Sequence, residues 1–349
     1  GFYGVVEQVD TDFLDRWVDD TNGNLFKAGD NFGTGGTAAA DLAWYGLAQS
    51  SYEPRYELKT NEAANDWTDL IELVDAINNT SDAQLQTFLP ALMDLQPLLR
   101  SLAIDNLFAN LDSYINSARN WYLYHNDTTG LWQWIKWDAN EAFGRYSGGQ
   151  QNLTSLSPYY LANNRPLMTR IMNVPWLRQL YTVEYCAVHD AFDNAQLDPR
   201  IDALVALVQP HVFADPNKQY TNTQFTTNIA SNITGGGGPG GGQTIYGLKS
   251  FINARRQYLT GALDCTTIGI AERERSGIKA WPNPMEETLW VTLPAGVTTS
   301  MPTLSDALGR VVPLSWSGGC ADVSMLAPGP YVLALRDGEV VLSQVLLKQ

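Results

Sequence analysis

The amino-acid sequence predicts an α+β fold, with a large mixed domain followed by a small all-β sandwich. Apolar residues recur at helical spacing in segments such as Leu98–Asn110. Two aromatic-rich runs, Trp121–His125 and Leu131–Trp137, flank a polar loop that ends in glycine, which is the pattern of a β-hairpin. From Trp281 onward the helical periodicity stops, and short β-like runs separated by turn residues follow.

Ahead of the hairpin, local sequence signals predict alternating strands and helices. β-Branched and aromatic residues predict strands at Gly1–Val9, Leu25–Ala28 and Tyr56–Lys59. Capping residues and apolar periodicity predict four helices: one capped by Asp10, then Asn65–Asn78, one capped by Ser81, and Leu98–Asn110.

After the hairpin the pattern is helical, and then it becomes β-like. Pro166 suits the first position of a helix, further helices are expected across Asn173–Leu207, and a last one carries Arg255. Four β-like runs then follow, with room for a few more strands between them: Thr288–Leu293, Val311–Trp316, Tyr331–Arg336 and Glu339–Leu347.

Polar side chains stand at both ends of the predicted hairpin. Asp112 precedes it, followed by Asn116 and Asn120, and Asp138 comes just after its second strand. Because a hairpin brings its two ends together, we expect Asp112, Asn120 and Asp138 to meet in space. One carboxylate could accept a hydroxyl proton, while an amide oxygen and a second carboxylate could hold Mg²⁺. Protein kinases arrange such residues in this order, and the alternative is an ordinary hairpin with polar ends.

The segment Asn120–Gly144 reads N-W-Y-L-Y, then W-I-K-W-D-A-N-E-A-F-G after the hairpin loop. It resembles the core of the CotH kinase family, the spore-coat-type atypical kinases. Trp121 stands where the family usually has Tyr, and Lys136 stands where it usually has Pro. Further matching segments occur in the family's order, at Gly4–Leu14, Asn24–Lys27, Tyr56–Glu62 and Gly247–Arg256.

The resemblance implies an atypical kinase-like domain, mostly C-lobe, that uses ATP and Mg²⁺. It makes Asp112 the catalytic residue that orients or deprotonates the acceptor hydroxyl, and Asp138 the Mg²⁺ ligand that bridges the ATP phosphates. Asn120 becomes the second metal ligand, with Asn116 as its alternative. Trp132 becomes a candidate for stacking on adenine, and core packing is the other interpretation of this ring.

The phosphate-binding lysine of a kinase has no certain place in this sequence. In the family, a basic segment upstream of the G-V-V-E-Q region contributes to the N-lobe, and Gly1 comes after it, so we expect an incomplete N-lobe within residues 1–262. Lys27 and Lys59 are the candidates inside the chain, with Glu7 as the candidate ion-pair partner.

The last part of the chain opens with W-P-N-P at Trp281–Pro284 and later contains L-A-P-G-P-Y-V-L. These residues resemble the type IX secretion sorting domain of Bacteroidetes. We therefore divide the chain into residues 1–262, a linker at 263–279 and a sorting β-sandwich at 280–349. The resemblance implies contact with the type IX secretion machinery and a location outside the outer membrane of a Gram-negative bacterium, secreted or at the cell surface.

Composition excludes some other classes of protein. A formal net charge of −15 argues against a nucleic-acid partner. Three cysteines without a CxxC pair, beside three histidines, do not indicate a zinc site. Cys186, Cys265 and Cys320 allow one disulfide, but buried thiols are the simpler expectation. The sequence has no apolar run long enough for a transmembrane segment.

Three functional classes remain. The first is a secreted kinase that transfers the ATP γ-phosphoryl group to Ser or Thr of a surface or extracellular protein. The second is a non-catalytic cell-surface structural or binding protein on a kinase-like fold, which the scarcity of extracellular ATP favours. The third is a carbohydrate-active protein, indicated by tryptophans and acidic pairs. The order of Asp112 and Asp138 favours the first class.

Overall fold

The structure, a computed structural model, describes residues 3–18, 20–29, 38–235, 244–265, 279–292, 302–306, 310–317, 319–337 and 340–348. Contacts divide the chain into two compact units, Gly1–Leu263 and Asp264–Gln349. Helices and small antiparallel sheets both contribute, so the predicted α+β class is confirmed.

The first unit contains a four-stranded antiparallel sheet with the order β2-β1-β3-β4. Its strands are β1 (Leu25–Ala28), β2 (Tyr56–Leu58), β3 (Trp121–His125) and β4 (Trp132–Lys136). Strands β3 and β4 form the predicted hairpin. The predicted strand at Gly1–Val9 is wrong for residues 3–9, which join no sheet. These residues have no hydrogen-bonded strand beside them, and apolar content alone does not make a strand.

The sheet buries both of its faces. On one face, Tyr122 and Tyr124 of β3 pack with Val9 and with Leu14 of helix α1 (Thr11–Trp17). The opposite face carries the alternate residues, where the rings of Trp121 and Trp134 stack with their centroids 4.6 Å apart. The period-two alternation of a strand therefore separates the two sets of aromatic residues, as the sequence predicts.

The remaining helices of the first unit surround this sheet or extend from it. They are α2 (Thr68–Asn79), α3 (Asp82–Leu92), α4 (Leu95–Leu107), α5 (Pro166–Asn173), α6 (Pro175–Ala191), α7 (Asn194–Ala214), α8 (Asn222–Ala230) and α9 (Leu248–Ala262). A short ribbon, β5 (Ile233–Thr234) with β6 (Thr244–Ile245), lies between α8 and α9. The predicted helix starts are confirmed: the side chains of Asp10 and Ser81 accept backbone N–H groups, and Pro166 occupies the first turn of α5.

Helix α4 is the central support of the candidate site, because its C-terminal end leads into Asp112. It packs along α6, where Arg100 and Glu184 form an ion pair with an N–O distance of 2.7 Å. At its C-terminal end, the fully buried Arg255 of α9 donates hydrogen bonds to the backbone oxygens of Asn106 and Leu107. A guanidinium group at this position satisfies carbonyl groups that the end of a helix leaves without partners.

The second unit consists of β-strands around one apolar core. They are β7 (Lys279–Trp281), β8 (Thr288–Thr292), β9 (Thr303–Asp306), β10 (Val311–Val312), β11 (Trp316–Ser317), β12 (Cys320–Asp322), β13 (Gly329–Asp337) and β14 (Val340–Lys348). They form two antiparallel sheets, β10-β9-β13-β14 and β11-β12-β8-β7. Buried residues of both sheets share one cluster, as in a β-sandwich. The predicted single strand Val311–Trp316 is wrong, because its two ends belong to different sheets.

Two further findings concern the cysteines and the helices of the described residues. Cys186 and Cys265 are disulfide-bonded, so the expectation of buried thiols is wrong for these two residues, whereas Cys320 is a free thiol. No helix within the described ranges has the length and apolar character needed to cross a membrane.

Candidate active site

The base of the hairpin brings the two ends of the predicted site together. Trp121 pairs with Lys136 across β3 and β4. The backbone N–H of Trp137 donates to the backbone oxygen of Asn120 at 3.1 Å. This hydrogen bond holds Asn120 against Trp137, the residue directly before Asp138. Asn120 and Asp138 both have a positive φ, of 61° and 41°. Asn and Asp tolerate this left-handed conformation better than most residues.

Asp112 and Asn120 are in direct contact. The side-chain Nδ2 of Asn120 donates to the backbone oxygen of Asp112 at 2.6 Å and to its carboxylate Oδ2 at 3.1 Å. The hydroxyl of Ser117 donates to the other carboxylate oxygen at 2.9 Å. These bonds fix the orientation of the Asp112 carboxylate. Because Nδ2 of Asn120 is committed to Asp112, its Oδ1 is the atom that remains to bind a cation.

The loop between Asp112 and Asn120 is anchored from outside. The buried Arg165 donates to the backbone oxygens of Tyr114, at 2.9 Å, and of Asn116. The hydroxyl of Tyr160 donates to Oδ1 of Asn116 at 2.7 Å. The Oδ1 of Asn116 is thus occupied by Tyr160, which lies outside the loop, whereas Asn120 contacts Asp112. Asn120 is therefore the better placed of the two predicted metal ligands.

Asp138 begins a turn that is pinned to the end of α4. Its side chain is exposed, and its Oδ1 accepts the backbone N–H of Asn140 at 3.3 Å. Five residues further on, the N–H of Phe143 donates to the backbone oxygen of Phe108 at 2.8 Å, and the two rings pack edge to face. The segment that carries Asp138 is therefore supported by the same helix end that leads to Asp112.

Glu141 is a member of this site that sequence reasoning missed. Burial raises the pKa of Glu141, Arg145 opposes that shift, and the negative charges of Asp112 and Asp138 reinforce it. Glu141 therefore lies within electrostatic range of both predicted aspartates. One sequence signal could have identified Glu141, which is its position three residues after Asp138, on the turn that follows the hairpin.

Lys136 forms an ion pair that was also not predicted. Its ammonium contacts Oδ1 of Asp105 in α4, whose side chain is only 3% exposed. Burial lowers the pKa of Lys136, and the negative charge of Asp138 opposes that shift. Asn110 donates to the same Asp105 oxygen at 2.9 Å. An ion pair between β4 and α4 therefore lies two residues before the predicted metal-binding aspartate, Asp138.

The other predicted residues lie away from this cluster. Glu7 binds Arg16, with an N–O distance of 2.5 Å, and the indole N–H of Trp17, so its predicted pairing with Lys27 or Lys59 is wrong. Glu7 and Arg16 lie on the same N-terminal segment, which makes their contact local. The ammonium of Lys59 lies 3.5 Å from Glu57 instead.

Lys27 lies in the middle of the sheet, at a register position facing Glu57 and Tyr122, on the face opposite to Lys136. The predicted hairpin fixes which face Lys136 occupies, because side chains alternate along a strand. The face that Lys27 occupies could not be predicted, because it depends on how β1 pairs with β3 in the sheet.

Trp132 is a packing residue in the structure. The ring is 2% exposed, and one face stacks on the His125 ring with centroids 4.6 Å apart. Phe26 contacts the same indole. In this arrangement no ring face is open to a purine. The structure therefore supports core packing of Trp132 and not the predicted stacking on adenine.

The donor set around the hairpin base fits Mg²⁺. It consists of the carboxylate of Asp138 and the free Oδ1 of Asn120, which are hard oxygen donors, and the Asp112 carboxylate is in contact with Asn120. Within the described ranges, no three His, Cys, Asp or Glu side chains form a closed metal cage. Mg²⁺ commonly takes one or two protein ligands and completes its coordination with water and substrate phosphates.

An Asp, an Asn and a second Asp arranged around a short hairpin follow the order of the active-site residues in protein kinases. The model of the CotH kinase protein family matches residues 1–259. This match covers more than half of the chain, and the chain belongs to that family.

A curated relative supports the assignment. The inner spore coat protein H of Bacillus subtilis (strain 168) is 27% identical over 188 residues. The aligned region covers 51% of this chain and 48% of that protein, so the chain spans about half the length of this curated relative.

Proposed function

We propose that this protein is a protein kinase that transfers the γ-phosphoryl group of ATP, with Mg²⁺, to a Ser or Thr hydroxyl of a surface or extracellular protein. The observation that carries the proposal is the direct contact of Asn120 with the Asp112 carboxylate at the base of the hairpin, next to Asp138. Family membership supports a kinase-like fold. The chemical step and its acceptor are our own inference.

In the proposed reaction, the acceptor hydroxyl lies at the Asp112 carboxylate. Asp112 orients the hydroxyl and takes its proton as the oxygen bonds to the γ-phosphorus, while the bond from that phosphorus to the β-phosphate oxygen breaks and ADP leaves. Asn120 and Ser117 keep the carboxylate of Asp112 in place through their hydrogen bonds. Asp138 and Asn120 would hold Mg²⁺, which neutralises phosphate charge when bound.

Export is part of the proposal. The disulfide bonding of Cys186 and Cys265 suits an oxidising compartment, and the net charge of −15 suits a salt-exposed location. The β-sandwich unit with its W-P-N-P opening supports a role as a type IX sorting domain. Deletion of residues 280–349 in a host with that machinery should retain the protein inside the cell, whereas secretion of the shortened protein would contradict this role.

Calorimetric titration of ATP tests the kinase proposal. We expect binding to wild-type protein that requires Mg²⁺, and a loss of affinity of about 10-fold or more in Asp138→Asn. The matched control is Asp127→Asn, which changes an exposed aspartate at the opposite end of the same hairpin and should leave affinity unchanged. Asp112→Asn should bind ATP normally and abolish phosphoryl transfer to Ser- and Thr-containing proteins.

The alternative, a non-catalytic binding protein on the same fold, has one observation in its favour, which is the burial of Trp132. Absence of ATP binding by the wild-type chain, or binding that neither Mg²⁺ removal nor Asp138→Asn weakens, would refute the kinase proposal and leave this alternative.

A further inference from the structure

Lys136 differs from Lys27 and Lys59 in its place in the sheet and in its ion-pair partner. It is the last residue of β4, two residues before Asp138, and its side chain points to the helical side of the sheet. Lys27 is directed to the opposite face, and Lys59 is paired with Glu57. The resembling family usually has Pro where this chain has Lys136, so the family pattern assigns no role to this residue.

The ion pair of Lys136 is built into the fold. Asp105 is buried in α4 and accepts hydrogen bonds from both Lys136 and Asn110. Asn110 also donates its backbone N–H to the backbone oxygen of Asp105 at 2.8 Å, and it stands two residues before Asp112. The contacts therefore fix the lysine relative to the segments that carry both predicted aspartates. The buried Oδ1 of Asn110 has no hydrogen-bond partner, which marks this polar cluster as incompletely satisfied.

The site carries several negative charges that a cation would offset. Glu141 lies within electrostatic range of Asp112 and of Asp138, and a nucleotide polyphosphate would add further negative charge. Arg145 acts on Glu141, and Lys136 interacts electrostatically with Asp138. The ammonium of Lys136 contacts Asp105, and the Lys136 side chain as a whole is 25% exposed.

We propose that Lys136, positioned by its ion pair with Asp105, is the lysine that binds the phosphates of the nucleotide in this chain. The inference rests on the proposed kinase function. The arrangement has the logic of a kinase lysine, in which a strand residue contacts phosphates while an acidic residue of a helix orients it. Here the strand is β4 of the hairpin and the helix is α4, which places this lysine beside the metal-binding aspartate.

The test is calorimetric titration of ADP with Mg²⁺, and of adenosine, into the full chain. Lys136→Met is combined with Asp105→Asn, because removing the lysine alone would leave a buried carboxylate without its partner. We expect this double variant to bind Mg-ADP about 10-fold or more weakly, since a charge-assisted contact is lost, and to bind adenosine as wild type does. Lys136→Arg should retain most of the affinity. Lys27→Met and Lys59→Met are the matched controls and should bind Mg-ADP normally.

A second measurement does not depend on any variant. An acyl-phosphate derivative of ADP transfers its acyl group to an amine next to the bound phosphates, which peptide mass spectrometry then locates. Labelling of Lys136 that Mg-ADP suppresses would support the proposal. Labelling of another lysine, or unchanged Mg-ADP affinity in a folded double variant, would overturn it while the kinase proposal stands. Absence of Mg-ADP binding by wild-type protein would overturn both.

Discussion

Replacing Arg255 with Met should lower the free energy of unfolding of the first unit by about 3 kcal/mol. Arg255 is 0% exposed, and its guanidinium connects α9 with the end of α4 and with the loop before α5. It donates to the backbone oxygens of Leu107, Asn106 and Leu156, and to the Oδ1 of Asn106 at 2.8 Å. The hydroxyl of Tyr185 accepts a further hydrogen bond at 3.1 Å.

The magnitude follows from the acceptors that lose this donor. Asn106 keeps other donors, because its backbone oxygen accepts the N–H of Ala109 and its Oδ1 accepts the Tyr185 hydroxyl. The buried carbonyls of Leu107 and Leu156 lose the guanidinium, at about 1–3 kcal/mol each. Burying a guanidinium is itself costly, and Met removes that cost while filling part of the space. The net loss therefore lies in the lower half of the range of about 2–6 kcal/mol, at about 3 kcal/mol.

Chemical denaturation followed by the helical circular dichroism signal measures this effect, because the helices of the described ranges belong to the first unit. Arg256→Met is the matched control. Arg256 donates to the carbonyls of His189 and Phe192 and pairs with Asp193, but its side chain is 33% exposed, so we expect a loss of about 1 kcal/mol. Equal losses in the two variants would refute the reasoning that burial makes the Arg255 contacts the stronger ones.

Three further predictions concern other contacts of the first unit, and the same denaturation measurement checks each. The hydrogen bond with Asp69 raises the pKa of His125, so this pair should stabilise the fold fully below about pH 6.5 and lose its effect as pH rises through the raised pKa. Asp69→Asn should remove that pH dependence, and an unchanged dependence would contradict the assignment. Gly23→Ala should cost about 3 kcal/mol, because its Cβ would lie 1.8 Å from the His125 carbonyl oxygen, and a neutral effect would contradict this. Gly261→Ala should stabilise α9 by up to about 1 kcal/mol, since its Cβ meets open space, and a loss of stability would count against that geometry.

The sequence predicted the features that depend on neighbouring residues. The hairpin, the caps at Asp10 and Ser81 and the helix start at Pro166 all follow from residue types within a few positions of one another. The approach of Asn120 to the segment directly after β4 followed as well, because a hairpin brings the start of its first strand next to the end of its second. These signals therefore located the candidate site before any tertiary contact was known.

Features that depend on distant contacts could not be predicted in the same way. The partner of Lys136 lies 31 positions earlier in the sequence, and the packing of α4 against β4 decides that contact. Trp132 shows the same limit, since its residue type suits both stacking on a base and packing in a core, and burial decides between them. The residues before Asp10 have strand-forming side chains, yet a strand also requires a hydrogen-bonded neighbour, which a pattern of residue types does not specify.

The last turn of α4 connects these observations. Asp105 holds Lys136, Phe108 holds the segment after Asp138 through Phe143, and Arg255 secures the carbonyl groups at the helix end. One helix end thus supports both the residues that precede the hairpin and those that follow it. Since local opening requires less free energy than global unfolding, loosening this turn should separate Asp112 from Asp138 before the domain unfolds. The same contacts therefore determine both the stability of the domain and the geometry of its candidate active site.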